Sequence, residues 1–156
     1  MPSSTPTHSV LLTRLAGTQI GLSASAVRQI VRTVAIAPLP GAPAIIEGAI
    51  NLHGRIVPVV DVRQRLELPA VANAPDQFLV VVETSDRLIA IRVEDVDDVS
   101  EISTEGVESP AVLSPVLQRL AGVAATSSGA LLIYDVDAFL TQAERDALDA
   151  AESASI

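Results

Sequence analysis

Residues Pro43 to Arg65 read P-A-I-I-E-G-A-I-N-L-H-G-R-I-V-P-V-V-D-V-R-Q-R, and this stretch is the most informative part of the chain. Two apolar runs, Ala49 to Leu52 and Arg55 to Val60, flank the dipeptide His53-Gly54. Runs of this kind on either side of a tight, glycine-containing point are typical of paired β-strands. We therefore predict two strands that meet at His53.

The residues around these strands are of types that shape the backbone. Pro43 is suited to open a helical turn over residues 44–47, and Gly48 to end it in a left-handed conformation. Pro58 cannot donate to a ladder, so its strand is expected to be an edge strand or to carry a bulge. Asp61 is placed to cap the turn that follows. None of these residues is an obvious reagent, so they predict a well-specified β-corner.

The rest of the chain indicates a β-rich fold in two groups of strands. Turn residues and alternating apolar residues predict hairpins at 9–22, 78–93 and 122–134. A short helical turn is expected over 23–30, and a C-terminal helix over Phe139 to Ala151, with a capping box formed by Thr141 and Glu144. About nine or ten short strands, divided near residues 68–76, favour small barrels over a doubly wound sheet.

Composition excludes several classes of function. The net charge of −9 disfavours nucleic acid and anionic membranes as partners. The chain has no cysteine and only three aromatic residues, Phe78, Tyr134 and Phe139, so stacked cofactors and thiolate sites are not expected. No apolar run approaches the roughly 20 residues of a membrane helix, and the polar N-terminus lacks a signal pattern. We expect a cytoplasmic protein without membrane insertion or cofactor.

Motifs for catalysis are weak. Gly48 and Gly54 have the spacing of a phosphate-binding loop, but Arg55-Ile56 follows instead of Lys-Ser/Thr. His53 would act as a general base only if the fold brought Asp61 or Glu47 within hydrogen-bond reach. A small hydrolase built on His53 is therefore a remote alternative. The acidic run at 94–101 lacks the glycine and the later glutamate of a calcium loop, and it reads as a solvated face with Val96 and Val99 as core positions.

The segment Ile46 to Arg63 resembles the motif of the CheW family of chemotaxis coupling proteins, I-x-G-x-x-N-L-R-G-x-I-x-P-V-x-D-L-R. Weaker similarity extends over 9–140: residues 27–30 resemble the family's V-x-E-I, with Gln29 in place of the acid, and residues 93–99 resemble its V-D-x-V-x-x-V. Neither a kinase nor a receiver domain accompanies the motif. The resemblance is therefore to the stand-alone adaptor.

The resemblance implies a mainly β fold of two small five-stranded barrels, side by side, with short helices and a C-terminal helix. We expect a disordered tail over 1–8, a CheW-like domain over 9–140, and a C-terminal helix and tail over 141–156. Within the domain, the barrels are expected near 9–67, with elements exchanged, and near 77–134. The C-terminal helix is expected either to pack on the second barrel or to present Leu148 to a partner.

The resemblance also implies a non-catalytic scaffold without cofactor or metal. In the family, the groove between the barrels takes the cytoplasmic tip of a chemoreceptor, and the barrel surfaces meet the regulatory domain of the histidine kinase CheA. The partner-binding residues expected in this chain are Val27, Gly48, Asn51, His53 and Arg55.

One residue departs from the family motif at a position that matters. His53 stands where the family usually has an arginine, whose permanent, bidentate charge a histidine does not reproduce. This departure raises the alternative of an adaptor in a non-flagellar pathway, such as pilus motility or development.

Overall fold

The computed structural model describes residues 7–103, 107–108, 120–126 and 129–154. This part of the chain is mainly β, as predicted, with two α-helices, α1 (Val62–Arg65) and α2 (Gln142–Ala154), and 3₁₀ turns at Ala24–Ala26 and Val136–Phe139. The eleven strands are β1 (Thr7–Leu15), β2 (Thr18–Ser23), β3 (Val27–Arg32), β4 (Ile46–Leu52), β5 (Arg55–Val60), β6 (Phe78–Glu83), β7 (Leu88–Val93), β8 (Asp95–Ser103), β9 (Val107–Glu108), β10 (Leu120–Thr126) and β11 (Gly129–Tyr134).

The strands form two sheets that exchange parts of the chain. Sheet A has six strands in the order β8-β1-β2-β11-β10-β9, and sheet B has five in the order β3-β6-β7-β5-β4. Sheet A contains the first hairpin, β1–β2, together with the later strands β8 to β11, which join it through the β1–β8 pair and the parallel β2–β11 pair. Sheet B contains the consecutive strands β3 to β7. Among the described strands neither sheet closes on itself, so the expected closed barrels are two open sheets.

A shared apolar layer lies between the two sheets. Along β6, Val80 and Val82 point into this layer, while Leu79 and Val81 point into a smaller cluster on the outer side of sheet B. The same period-two alternation places Leu11 of β1 in the shared layer and Val10 in a cluster on the outer side of sheet A. Burial on both faces explains why these strands are nearly continuous apolar runs.

Gly48 lies inside β4, where the register with β5 shifts. Its φ is +155°, and a Cβ there would lie 2.3 Å from the carbonyl oxygen of Ala37 and 2.7 Å from Cγ2 of Ile36. The helical turn expected at 44–47 is wrong: the hydrogen bond from the Ile46 amide to the Pro43 carbonyl (2.9 Å) closes one tight turn over 43–46, and strand β4 already begins at Ile46. Glycine is required here because another segment packs directly on the strand.

Pro58 lies in β5, which is flanked by β4 and β7 and is not an edge strand. Its ladder partner, Ala49, exchanges both backbone hydrogen bonds with Ala37, at 2.9 and 2.8 Å, and so turns its polar groups away from β5. Pairing with β7 starts only at Val59. The proline therefore occupies a position at which neither neighbouring strand needs its missing N–H.

Helix α1 links distant segments through two arginines. The carboxylate of Asp61 accepts a hydrogen bond from the amide of Gln64 (3.1 Å), which confirms the predicted cap. Nη2 of Arg63 donates to Glu94 (2.6 Å), and Arg65 pairs with Glu144. Because Glu94 follows sheet B and Glu144 begins α2, this four-residue helix ties three parts of the fold together.

Helix α2 packs on the core. The capping box is present, with the Glu144 amide donating to Oγ1 of Thr141 (3.1 Å) and the Thr141 amide donating to Oε1 of Glu144 (2.8 Å). Leu148 is fully buried in the shared layer, so it is not presented to a partner. Arg87, beside the β6–β7 turn, pairs with Glu152 at 2.9 Å.

Strand β8 corrects the expectation for the acidic run. Val96 packs against the shared layer, but the side chain of Val99 is 53% exposed and is not a core position. The run is a strand paired with β1, with a register shift between Leu12 and Thr13 of β1.

Replacing Gly48 with alanine is predicted to lower the free energy of unfolding by about 3 kcal/mol, because the new Cβ overlaps a backbone oxygen. Urea unfolding monitored by circular dichroism measures this loss. Gly17→Ala is the matched control: its φ is +75° and no atom lies within 4 Å of the added Cβ. That control is expected to cost only about 1 kcal/mol, and equal losses for the two variants would contradict the packing account.

Candidate functional site

The β4–β5 hairpin ends in a two-residue turn at His53 and Gly54. Both have positive φ, +52° and +86°, as a type I′ turn requires. Oδ1 of Asn51 accepts a hydrogen bond from the amide of Gly54 at 2.8 Å. Asn51 therefore fixes the turn, and the turn holds the side chain of His53 out into solvent.

A groove of about 550 Å³ runs between this turn, the start of β3 and the β6–β7 turn. We call it the hairpin groove. It is lined by both polar and apolar side chains: Arg28, Gln29, Leu52, His53, Arg55, Val81, Glu83, Thr84, Ser85, Asp86, Arg87 and Leu88.

Some charged side chains that line the hairpin groove form ion pairs, and others do not. Arg28 pairs with Glu83 at 2.5 Å, with both side chains about half exposed, and Arg87 is tied to α2. Within the described residues, neither His53 nor Arg55 has an ion-pair partner. Arg55, directly after the turn, is exposed and therefore presents a positive charge to solvent on a chain whose net charge is −9.

The structure brings only some of the predicted site residues together. His53 and Arg55 line the hairpin groove, and Asn51 supports the turn beside it. Val27 is half-buried and packs against the shared apolar layer, and Gly48 is buried within β4. Neither of these two lines the groove, and Gly48 lies toward the other end of the hairpin, beside Ile36 and Ala37.

Neither Glu47 nor Asp61, the two carboxylates considered as partners of His53, is positioned to make it a general base. Glu47 is held by Arg92 at 2.5 Å, and Asp61 caps α1. Both lie at the far end of the hairpin, where Ile46 pairs with Val60. Six residues of strand separate them from the turn, roughly 20 Å, so the geometry does not support the hydrolase alternative.

A second groove, of about 190 Å³, is mostly apolar and lies where sheet A meets the segment after α1. We call it the apolar groove. One wall is formed by sheet A and the other by Leu66 and Leu68, and the complete lining is Leu15, Thr18, Ile20, Leu66, Leu68, Leu132 and Tyr134. Burial raises the pKa of the Tyr134 phenol.

The sequence did not predict that the residues lining the apolar groove lie close together. Its walls come from β1, β2, β11 and the segment after α1, which the parallel β2–β11 pair, the shared apolar layer and the ion pair of Arg63 bring together. The one usable signal was the apolar pair Leu66 and Leu68 directly after the capped turn.

Two further features bear on function within the described residues. No helix there has the length and apolar character that crossing a membrane requires. In the same part of the chain, no three His, Cys, Asp or Glu side chains gather in an arrangement that would hold a metal ion.

Comparison with known proteins gives a consistent picture. The model of the CheW-like domain matches residues 9–144. The chain is 29% identical over 124 residues to the chemotaxis protein CheW of Rhizobium meliloti (strain 1021), covering 78% of this chain and 80% of that protein. It is 27% identical over 130 residues to the chemotaxis protein CheW of Treponema pallidum (strain Nichols), covering 80% and 76%.

A solved structure is also similar. The crystal structure of the scaffolding protein TtCheW from Thermoanaerobacter tengcongensis matches with a TM-score of 0.80 and 25% sequence identity. The match covers 89% of this chain and 96% of that one, so it includes both sheets rather than one of them.

The left-handed conformation of His53 predicts opposite effects for two substitutions. His53→Val is expected to lower the free energy of unfolding by about 1–2 kcal/mol, because a β-branched residue disfavours positive φ. His53→Asn is expected to be neutral or stabilising, because asparagine tolerates this conformation. Thermal or urea unfolding compares the two, and a valine variant as stable as the asparagine variant would contradict the type I′ turn.

Proposed function

The chain belongs to the CheW-like domain family, and on that premise we propose that it is a scaffold coupling chemoreceptor tips to the regulatory domain of a CheA-type histidine kinase. The observation that carries the proposal is the family match over residues 9–144, which spans both sheets. Its relatives are chemotaxis proteins, and its structural neighbour is a scaffolding protein. We propose that the protein acts in the cytoplasm, and that it has no catalytic activity of its own.

A coupling scaffold needs two surfaces that can be occupied at the same time. The apolar groove and the hairpin groove have no lining residue in common. One lies against sheet A and the other against sheet B. The two grooves therefore satisfy the geometric requirement for joining two partners.

The apolar groove suits the receptor tip. An amphipathic helix buries a stripe of apolar side chains in a groove of matching character, and leucines from two walls supply that character here. The family resemblance assigns the receptor to a groove between the two halves of the fold, and the apolar groove has one wall from sheet A and the other from the segment that follows β5 of sheet B and α1.

The hairpin groove suits the kinase. Arg55 offers positive charge to an acidic surface, His53 adds a polar ring beside it, and the exposed side chain of Ile56 (58%) adds apolar contact. Asn51 holds the turn that presents these residues. Val27 is proposed to influence binding by positioning the adjacent Arg28, which lines the groove, and Gly48 by setting the register of β4 against β5.

Binding of the two partners is predicted to respond to different substitutions. Leu68→Ser should weaken binding of a receptor-tip fragment about tenfold, because it places a hydroxyl in the apolar groove. Arg55→Gln should weaken binding of the kinase regulatory domain by a few-fold to tenfold, because it removes an interface charge. Isothermal titration calorimetry of the full chain measures both, with dissociation constants of about micromolar expected for the wild type.

Arg32→Gln is the matched control for Arg55→Gln. Arg32 is also exposed on sheet B, but it lies over the ring of Phe78 and lines neither groove. It should leave both affinities unchanged. Wild-type protein that binds neither partner would contradict the proposed function, and a Leu68→Ser variant that loses the kinase but keeps the receptor would reverse the assignment of the grooves.

A further inference from the structure

The two walls of the apolar groove are joined by a single carboxylate. Oε1 of Glu94 accepts a hydrogen bond from the amide of Ala16 at 2.7 Å and from Nη2 of Arg63 at 2.6 Å. Ala16 belongs to the β1–β2 turn, next to Leu15 of one wall. Arg63 belongs to α1, which leads directly into the other wall.

Arg63 holds the second wall through both its side chain and its backbone. Its carbonyl accepts a hydrogen bond from the amide of Leu68 at 2.8 Å, and its Nη1 donates to the carbonyl of Pro69 at 3.4 Å. The side chain is only 5% exposed, so its charge depends on the partner that the protein supplies. Removing that partner would leave a buried cation free to pull away from its present position.

The backbone of Glu94 is fixed as well. Its amide donates to the carbonyl of Arg14 at 3.0 Å, on the strand that enters the β1–β2 turn. The backbone of Glu94 is therefore attached to the sheet A side of the groove, and its carboxylate extends to Arg63 on the other side. The hydrogen bond from Arg63 holds the pKa of Glu94 below its usual range, which keeps the carboxylate charged at neutral pH.

We propose that Glu94 is a positioning residue for the apolar groove, a latch that sets the distance between its two walls by binding the Ala16 amide and Arg63 through one oxygen. This proposal rests on the proposed function, in which a receptor-tip helix occupies the groove. Glu94 does not line the groove, so it acts through Leu66 and Leu68 on one side and the β1–β2 turn on the other. Recognition surfaces lose affinity when the residues supporting them are loosened, even if every contact residue is unchanged.

The test compares Glu94→Ala with Glu101→Ala in the full chain. Glu101 is an exposed carboxylate on β8 that accepts from Ser9, at the end of β1 remote from the groove. Hydrogen exchange of the Ala16 amide by nuclear magnetic resonance reports the latch directly, with the Leu22 amide as a reference for global unfolding. Titration with a receptor-tip fragment and with the kinase regulatory domain reports the two surfaces.

We expect Glu94→Ala to speed exchange at Ala16 about tenfold relative to Leu22, and to weaken receptor-tip binding by about the same factor. Kinase binding should not change, and Glu101→Ala should match the wild type in every measurement. Glu94→Gln keeps an acceptor oxygen for Ala16 but loses the charge that holds Arg63, so its receptor affinity should fall between the wild type and Glu94→Ala. This milder variant serves the test if the alanine variant does not fold.

Unchanged exchange at Ala16 in Glu94→Ala would overturn the latch. Faster exchange with full receptor affinity would overturn its role in positioning the groove. Nuclear Overhauser contacts between the methyl groups of Leu15 and Leu66 measure the wall spacing without any ligand. If wild-type protein fails to bind the receptor tip, the proposed function is wrong. The role of Glu94 as a latch is then still tested by the exchange rate of the Ala16 amide and by the Leu15–Leu66 contacts.

Discussion

Leu22 of sheet A and Val80 of sheet B are both fully buried in one apolar layer, and the two sheets cannot separate without exposing it. Burying a side chain of this size contributes about 1.5–3 kcal/mol, and the layer contains residues from both sheets, from α1 and from α2. The sheets are therefore two halves of one body. A scaffold that must hold two partners in a fixed relation needs this property, since each groove belongs mainly to a different sheet.

Ion pairs in this molecule orient segments of the chain and contribute less to stability than the apolar layer does. Exposed pairs contribute less than about 1 kcal/mol each, so Arg28 with Glu83 adds little to stability. The arginines of α1 are far less exposed, 5% for Arg63 and 12% for Arg65, and each reaches a separate part of the chain. The apolar layer supplies most of the stability, and these pairs hold α1 against the β1–β2 turn on one side and against α2 on the other.

Local chemistry made much of the fold predictable. The turn at His53 and Gly54, the cap at Asp61 and the capping box of Thr141 and Glu144 each depend on residues a few positions apart, and the structure contains all three. Gly48 was misread because its conformation depends on Ala37, whose approach is a tertiary contact with no local signature. Val99 was misread because spacing of three suggests a buried face, whereas β8 is an edge strand at that point. Among the candidate site residues, His53 and Arg55 are near neighbours in sequence and line one groove, whereas the apolar groove is assembled from four separated segments that no local pattern connects.

The claim that the two sheets form one cooperative body can be tested by following urea unfolding residue by residue with nuclear magnetic resonance. Amides of sheet A, such as Leu22, and of sheet B, such as Val80, should share one midpoint. Leu22→Ala, which removes about 2–5 kcal/mol from the shared layer, should lower the midpoint of both sheets equally. A variant in which sheet A unfolds first while the Val80 amide keeps its original midpoint would contradict the account.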